Sequence, residues 1–187
     1  MAAGLKQTMD DARKAMSAFA ENMEALKHNF LVRGFFNDRG FFNLASISPA
    51  EYRAGALTRK GARRTVRIWL GAAVLFEPDP DQAGAERLSA DGKARLDSAM
   101  ATFLERLPSA ILMVEGYSQK GTKEEQYLQS RLRASTVRSY LIGRFQLDPL
   151  MTGIMPLGRD SQGSPDGAPW DGTALAVFQE KTEPAKK

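Results

Sequence analysis

The chain has 187 residues, 43% hydrophobic and 26% charged, ordinary globular values that exclude wholesale disorder and allow one domain of normal core size plus an appendage. With no cysteine and a single histidine, disulfides, thiol chemistry and zinc sites of the usual composition are excluded. The net charge of +4 is mild, and no apolar run approaches the roughly 20 residues of a membrane-spanning helix.

Leu5, Met9, Ala12, Met16, Phe19, Met23, Leu26 and Phe30 recur at alternating spacings of four and three. This heptad seam predicts a long helix with a narrow apolar stripe, of the kind that associates side by side in a homo-oligomer. Methionine and phenylalanine stand where a tight dimer prefers Ile, Val and Leu, so the seam suits a wide bundle or an apolar passenger. Packing on the chain's own domain is the alternative. His28 sits on this helix without a partner, and a lone histidine is more often a surface or packing residue than a base. Gly34 and Gly40 then break the helix, and Phe30, Phe35, Phe36, Phe41 and Phe42 supply half of the chain's ten Phe.

Residues 44–63 read as a basic linker with one helical turn, since Ser48 can cap and Pro49 fits the first helical position. Arg59, Lys60, Arg63, Arg64 and Arg67 cluster here. They form either a solvated face or a patch for anionic glycan, lipid headgroups or nucleic acid. Few aromatics interleave with them, which speaks against a platform for single-stranded nucleic acid, and no nucleic-acid partner is expected.

Over residues 64–179 the pattern becomes that of a folded domain. Val66, Ile68 and Leu70 alternate with Thr65, Arg67 and Trp69, and an apolar run follows, predicting a strand over 65–76. Residues 77–81 are an acidic, proline-containing loop. Ser89 or Asp91 caps a helix with Leu96, Met100, Phe103 and Leu107 on one side, ending before Pro108. The unbroken apolar run 111–114 predicts a buried strand, Gly116 and Gly121 a turn, and Ala134, Val137 and Leu141 a long helix. Strands over 151–157 and 173–179 flank an exposed loop over 158–169, and 180–187 is a charged tail expected to be disordered. The order strand, helix, strand, helix, strand, strand gives an α+β sandwich, βαβαββ, with a mixed sheet and helices on one face. Glu124 and Glu125 in a first helical turn serve the helix dipole. No phosphate-cradling loop or nucleophile elbow appears. No catalytic residue, metal site or cofactor is therefore expected.

Two family resemblances overlie this pattern. The order Val-Glu-Gly-Tyr-Ser at 114–118, followed by Gln126, Ser130, Arg133, Ala134, Val137 and Leu141 at helical spacing, resembles the peptidoglycan-associating OmpA-like domain over residues 64–179. The resemblance implies a ligand pocket formed by Glu77, Tyr117, Ser118, Gln119, Gln126, Ser130 and Arg133. Arg133 stands at the family's carboxylate-binding arginine, and Gln119 at the aspartate that pairs with the amino group of diaminopimelate. Tyr117 replaces a histidine, Gln126 an asparagine, and Glu77 an acid at the end of the first strand. An amide cannot neutralise an ammonium, so Gln119 departs from the family chemistry, with Glu77 or Glu115 as possible substitute acids. Lys27, Asn29, Phe30, Leu31, Arg33, Gly34, Phe35, Phe36, Arg39 and Gly40 resemble the tail of MCE (mammalian cell entry, MlaD-type) proteins. That family implies membrane-anchored envelope assemblies that conduct lipid, and the chain is expected to be a C-terminal segment of such a protein, without its ring domain and anchor. Together the resemblances imply a non-enzymatic periplasmic or envelope protein, with lipid, peptidoglycan and other envelope transport subunits as partners. The domain is expected to serve as a degenerate scaffold or docking module, with Arg133 held by a loop carbonyl or Glu124. The alternative is a peptidoglycan-binding anchor.

Overall fold

The computed structural model describes residues 44–58, 61–105, 107, 110–160 and 162–181. The heptad seam, His28, the Phe-rich stretch, Arg59, Lys60 and the tail from 182 onward lie outside the described residues.

Ser48 opens the first helix, α1 (Pro49–Arg53), in a capping box with Glu51. The first long strand, β1 (Arg63–Gly71), follows. It ends at Gly71, opposite the residue that begins β6 (Gly172–Glu180). Among the described residues, no strand pairs with 72–75 just beyond this point. The Ala-rich apolar run therefore coils into a helical turn, α2 (Ala72–Leu75), instead of prolonging the strand to residue 76. A short antiparallel ribbon comes next, β2 (Phe76–Pro78) against β3 (Glu86–Leu88). The acidic loop is thus the tip of a ribbon, and β3 is an element that the apolar pattern does not announce.

Ser89 accepts the Gly92 N–H and caps α3 (Ala90–Ala101). Leu96 and Met100 from its inner side, and Phe103 in the turn that follows it, are fully buried. Next come β4 (Ala110–Tyr117), α4 (Lys123–Phe145) and β5 (Thr152–Pro156). The main sheet has the order β1, β6, β4, β5; β4 and β5 are parallel and the other pairs antiparallel. This is the mixed sheet and α+β arrangement expected from the order of elements, with the two long helices on one face.

Every residue of β4 is buried, because both faces of the sheet are covered. Leu112, Val114, Leu175 and Val177 face α3 and α4 in one core. Ile111, Met113, Tyr117, Ala174, Ala176 and Phe178 face the other way, against Leu44, Tyr52 and Leu57. The stretch expected as a linker therefore packs onto the sheet over residues 44–58. Fully burying a side chain such as Leu57 contributes about 2 kcal/mol.

Candidate functional site

The site implied by the sequence lies where β4 hands over to α4. A side chain on Gly116 would meet the Ser130 carbonyl oxygen at 1.8 Å, so glycine alone lets helix and strand backbones approach this closely. Thr122 and Glu125 form a capping box that starts α4. Arg133, nearly three turns later, reaches back along the helix toward the strand end.

There the guanidinium is enclosed. Its Nε donates to Glu86 Oε2 at 2.7 Å and its NH2 group to Glu86 Oε1 at 2.9 Å, a bidentate pair. The NH1 group donates to Asp171 Oδ1 at 2.7 Å and to the Tyr117 carbonyl at 2.9 Å. The Phe76 ring lies 5.7 Å from the guanidinium carbon. Arg133 is only 6% exposed, against 29% for Glu86 and 35% for Asp171. Burial opposes the charge, but the bonds to Glu86 and Asp171 outweigh it and hold Arg133 above the ordinary arginine value. The sequence reading expects a loop carbonyl or Glu124; the carbonyl is that of Tyr117, the last residue of β4, and the acids are Glu86 and Asp171.

The remaining pocket residues separate into three groups. Gln119 lies beside Arg133: its N–H donates to Asp171 Oδ1 at 3.3 Å, and its side-chain amide donates to the Trp170 and Arg159 carbonyls at 2.7 and 3.3 Å. Gln126 braces the same turn through the Gln119 and Gly121 carbonyls. Ser118 and Ser130 are buried framework, the first donating its N–H to the Gly158 carbonyl, the second accepting the Gly158 N–H. The Glu77 carboxylate and the Tyr117 side chain are not brought to Arg133, which takes only the backbone carbonyl of Tyr117. Glu77 pairs with Arg87 across the ribbon at 2.8 Å, because ribbon register, not sequence position, decides which acid faces the helix. Tyr117 turns to the opposite face of the sheet, as alternation along β4 demands.

On that opposite face Glu115 is 1% exposed, which rules it out as a substitute acid beside Arg133. Its carboxylate accepts from Tyr52 Oη, from Tyr117 Oη at 2.9 Å and from Arg67 Nε at 3.0 and 3.1 Å. Burial, then the Glu115 charge, pushes both tyrosine hydroxyls far above the ordinary phenol range. For Arg67, burial works against the charge and Glu115 overcomes it, leaving a raised value. One arginine of the basic cluster is thus the counter-ion of a buried acid, and Arg63 pairs with Glu180 at 2.8 Å. Trp69 stacks on Tyr117 at 5.2 Å and meets Trp170 edge-on at 5.4 Å.

An open cavity of about 400 Å³ adjoins the site, lined by Gln119, Arg159, Asp160, Gln162, Gly163, Gly167 and Pro169. Gln119 turns no free amide hydrogen into it, since both contacts of that amide are to carbonyls of the surrounding loop. Among the described residues, no group of three or more His, Cys, Asp or Glu side chains is placed to hold a metal ion.

Sequence reasoning missed Glu86, Asp171, Tyr52 and Arg67 as members of these two clusters. Asp171 carries a signal, as the only acid between the exposed loop and the last strand. Glu86 carries none, because its role depends on a ribbon three residues wide.

No family model and no curated protein matches the chain. Among solved structures, the periplasmic domain of Helicobacter pylori MotB (residues 97–256) is similar at 14% identity and TM-score 0.46, over 65% of this chain and 86% of that one. The peptidoglycan-associated lipoprotein of Burkholderia pseudomallei is similar at 20% identity and TM-score 0.39, over 57% and 88% respectively. The OmpA-like domain of FopA1 from Francisella tularensis is similar at 20% identity and TM-score 0.41, over 65% and 79%.

Proposed function

We propose that this chain is a non-enzymatic cell-envelope module whose globular part acts as a scaffold or docking unit, with the site at Arg133 closed by the protein's own acids. The observation that carries this reading is the engagement of four of the five Arg133 N–H donors by Glu86, Asp171 and the Tyr117 carbonyl. A ligand carboxylate would have to displace two carboxylates already bonded to a buried guanidinium, and would bring a further negative charge beside them. The Gln119 amide, spent on two carbonyls, offers no charge to an ammonium. The wider setting rests on residues 27–40 and their likeness to MCE tails, and on the heptad seam. On this reading the domain lies in the periplasm, after an oligomeric, lipid-conducting tail.

Isothermal titration with a diaminopimelate-containing stem peptide tests the first part. No heat of binding is expected up to about 1 mM peptide, an affinity of roughly −4 kcal/mol. Saturable binding below that concentration would instead establish the peptidoglycan-anchoring alternative. For the tail, organic extraction of the purified chain followed by mass spectrometry is expected to recover phospholipid, and to recover none from a Met16→Glu/Met23→Glu variant. Equal recovery from both would remove the seam as the lipid path.

A further inference from the structure

Strand β1 is the outermost strand of the main sheet and, among the described residues, pairs only with β6. The hydrogen bonds at its ends fix the direction of each residue. The Ala62 carbonyl accepts from Lys181 N–H at 3.0 Å and the Ala72 N–H donates to the Asp171 carbonyl at 2.9 Å, so even-numbered residues turn their backbone groups toward β6. The Arg63 N–H turns the other way, to the Thr58 carbonyl at 3.1 Å. Thr65, Arg67 and Trp69 therefore present N–H and C=O to an open edge, the template on which another strand can pair. On the helix side of that edge Val66, Ile68 and Leu70 are only partly buried.

We propose that this edge pairs antiparallel with the same edge of a second copy of the chain, centred on Ile68. Symmetric pairing must bring outward-facing residues opposite one another, and few registers satisfy this without conflict. Centring on Arg67 sets guanidinium against guanidinium. Centring on Val66 requires the Arg63 N–H, which Thr58 already holds. Centring on Trp69 or Leu70 shortens the overlap. With Ile68 on the two-fold axis, residues 65–71 of both copies pair. Val66 then faces Leu70, and Arg67 faces Trp69 at hydrogen-bonded positions, where a guanidinium and an indole attract. Arg64 falls opposite Ala72, past the strand end, so no like charges stand directly opposite one another, and the two Arg67 residues are only diagonal neighbours. Each match occurs twice by symmetry.

The chain has no cysteine, so a single introduced thiol reports the register. Ile68→Cys places two thiols at a non-hydrogen-bonded pair, about 4.5 Å apart between Cα atoms and within disulfide reach. Under mild oxidation the full-length Ile68→Cys chain is expected to become a covalent dimer, while Val66→Cys alone and Leu70→Cys alone stay uncrosslinked. A mixture of the last two should yield the heterodimer, which keeps the test valid if Ile68→Cys folds poorly. Light scattering of the unmodified chain should give at least twice 20.6 kDa. A monomeric mass would overturn the proposal and leave the edge to an extended segment of another protein. Equal cross-linking of all three single variants would also overturn it, by locating self-association elsewhere. Neither result bears on Arg133, so this test and the peptide titration fail independently.

Discussion

A Cβ on Gly116 would stand 1.8 Å from the carbonyl oxygen of Ser130. A close approach of helix to sheet therefore sits at the root of the loop that carries Ser118 and Gln119. Gly116→Ala must push α4 away from β4, and with it Arg133 from Tyr117. A loss of about 2–3 kcal/mol is expected, read as a lower urea midpoint at unchanged slope. An unaltered midpoint would mean that the helix shifts freely at this point.

Arg133→Lys keeps the charge but not the planar fork that holds Glu86 and Asp171 at once. Both acids are about one-third exposed and can rehydrate, which limits the cost to about 1–2 kcal/mol. Arg133→Met, which leaves two acids facing an apolar chain, should cost more. Equal midpoints for the wild type and both variants would show that the bonds to Glu86 and Asp171 contribute nothing to the fold.

Gln119→Asp restores the charge expected of a diaminopimelate pocket, yet it should give no peptide binding. The new carboxylate would face the Trp170 and Arg159 carbonyls, which now accept from the amide. Arg133 would remain occupied. Calorimetric titration of this variant checks the point, and a saturable isotherm would return the site to the ligand-binding reading.

The tyrosines set an alkaline limit. Tyr52 and Tyr117 are held neutral in the folded state, their hydroxyls raised by burial and by Glu115. In the unfolded chain they ionise near the ordinary value of about 10. Their contribution is complete below that pH and is lost as pH rises above it toward the raised folded values, because only the unfolded chain then releases the protons. Phenolate absorbance from these two residues should appear together with loss of the far-ultraviolet circular dichroism signal. Full titration of all four tyrosines near pH 10 with that signal intact would refute it.

The sequence made the helix side of the fold readable, because Leu96, Met100 and Phe103, and then Ala134, Val137 and Leu141, repeat at one period and all are buried. The other face of the sheet was less readable. Tyr52 and Leu57 lie in a short stretch whose apolar residues follow no period, and their burial follows from a sheet face that needs a cover. The site divides likewise. The position of Arg133 on α4 follows from helical spacing, whereas its acidic partners come from β3 and from the residue just before β6, which meet only through ribbon register and sheet order. A run such as 72–76 is ambiguous between strand and helix from residue types alone; the start of β6, opposite Gly71, decides it.

Tyr52 bonds a side chain of β4, a strand flanked on both sides by others. Tension transmitted through the chain before residue 44 therefore reaches the sheet through Leu44, Tyr52 and Leu57, at its interior. The load first shears a buried patch with a charged centre, and only afterward reaches β1, which would otherwise peel from the edge one hydrogen bond at a time. Pulling from the N-terminal side therefore loads the sheet in a different mode from pulling on β6, whose last residues pair directly with Arg63 and Arg64 of β1.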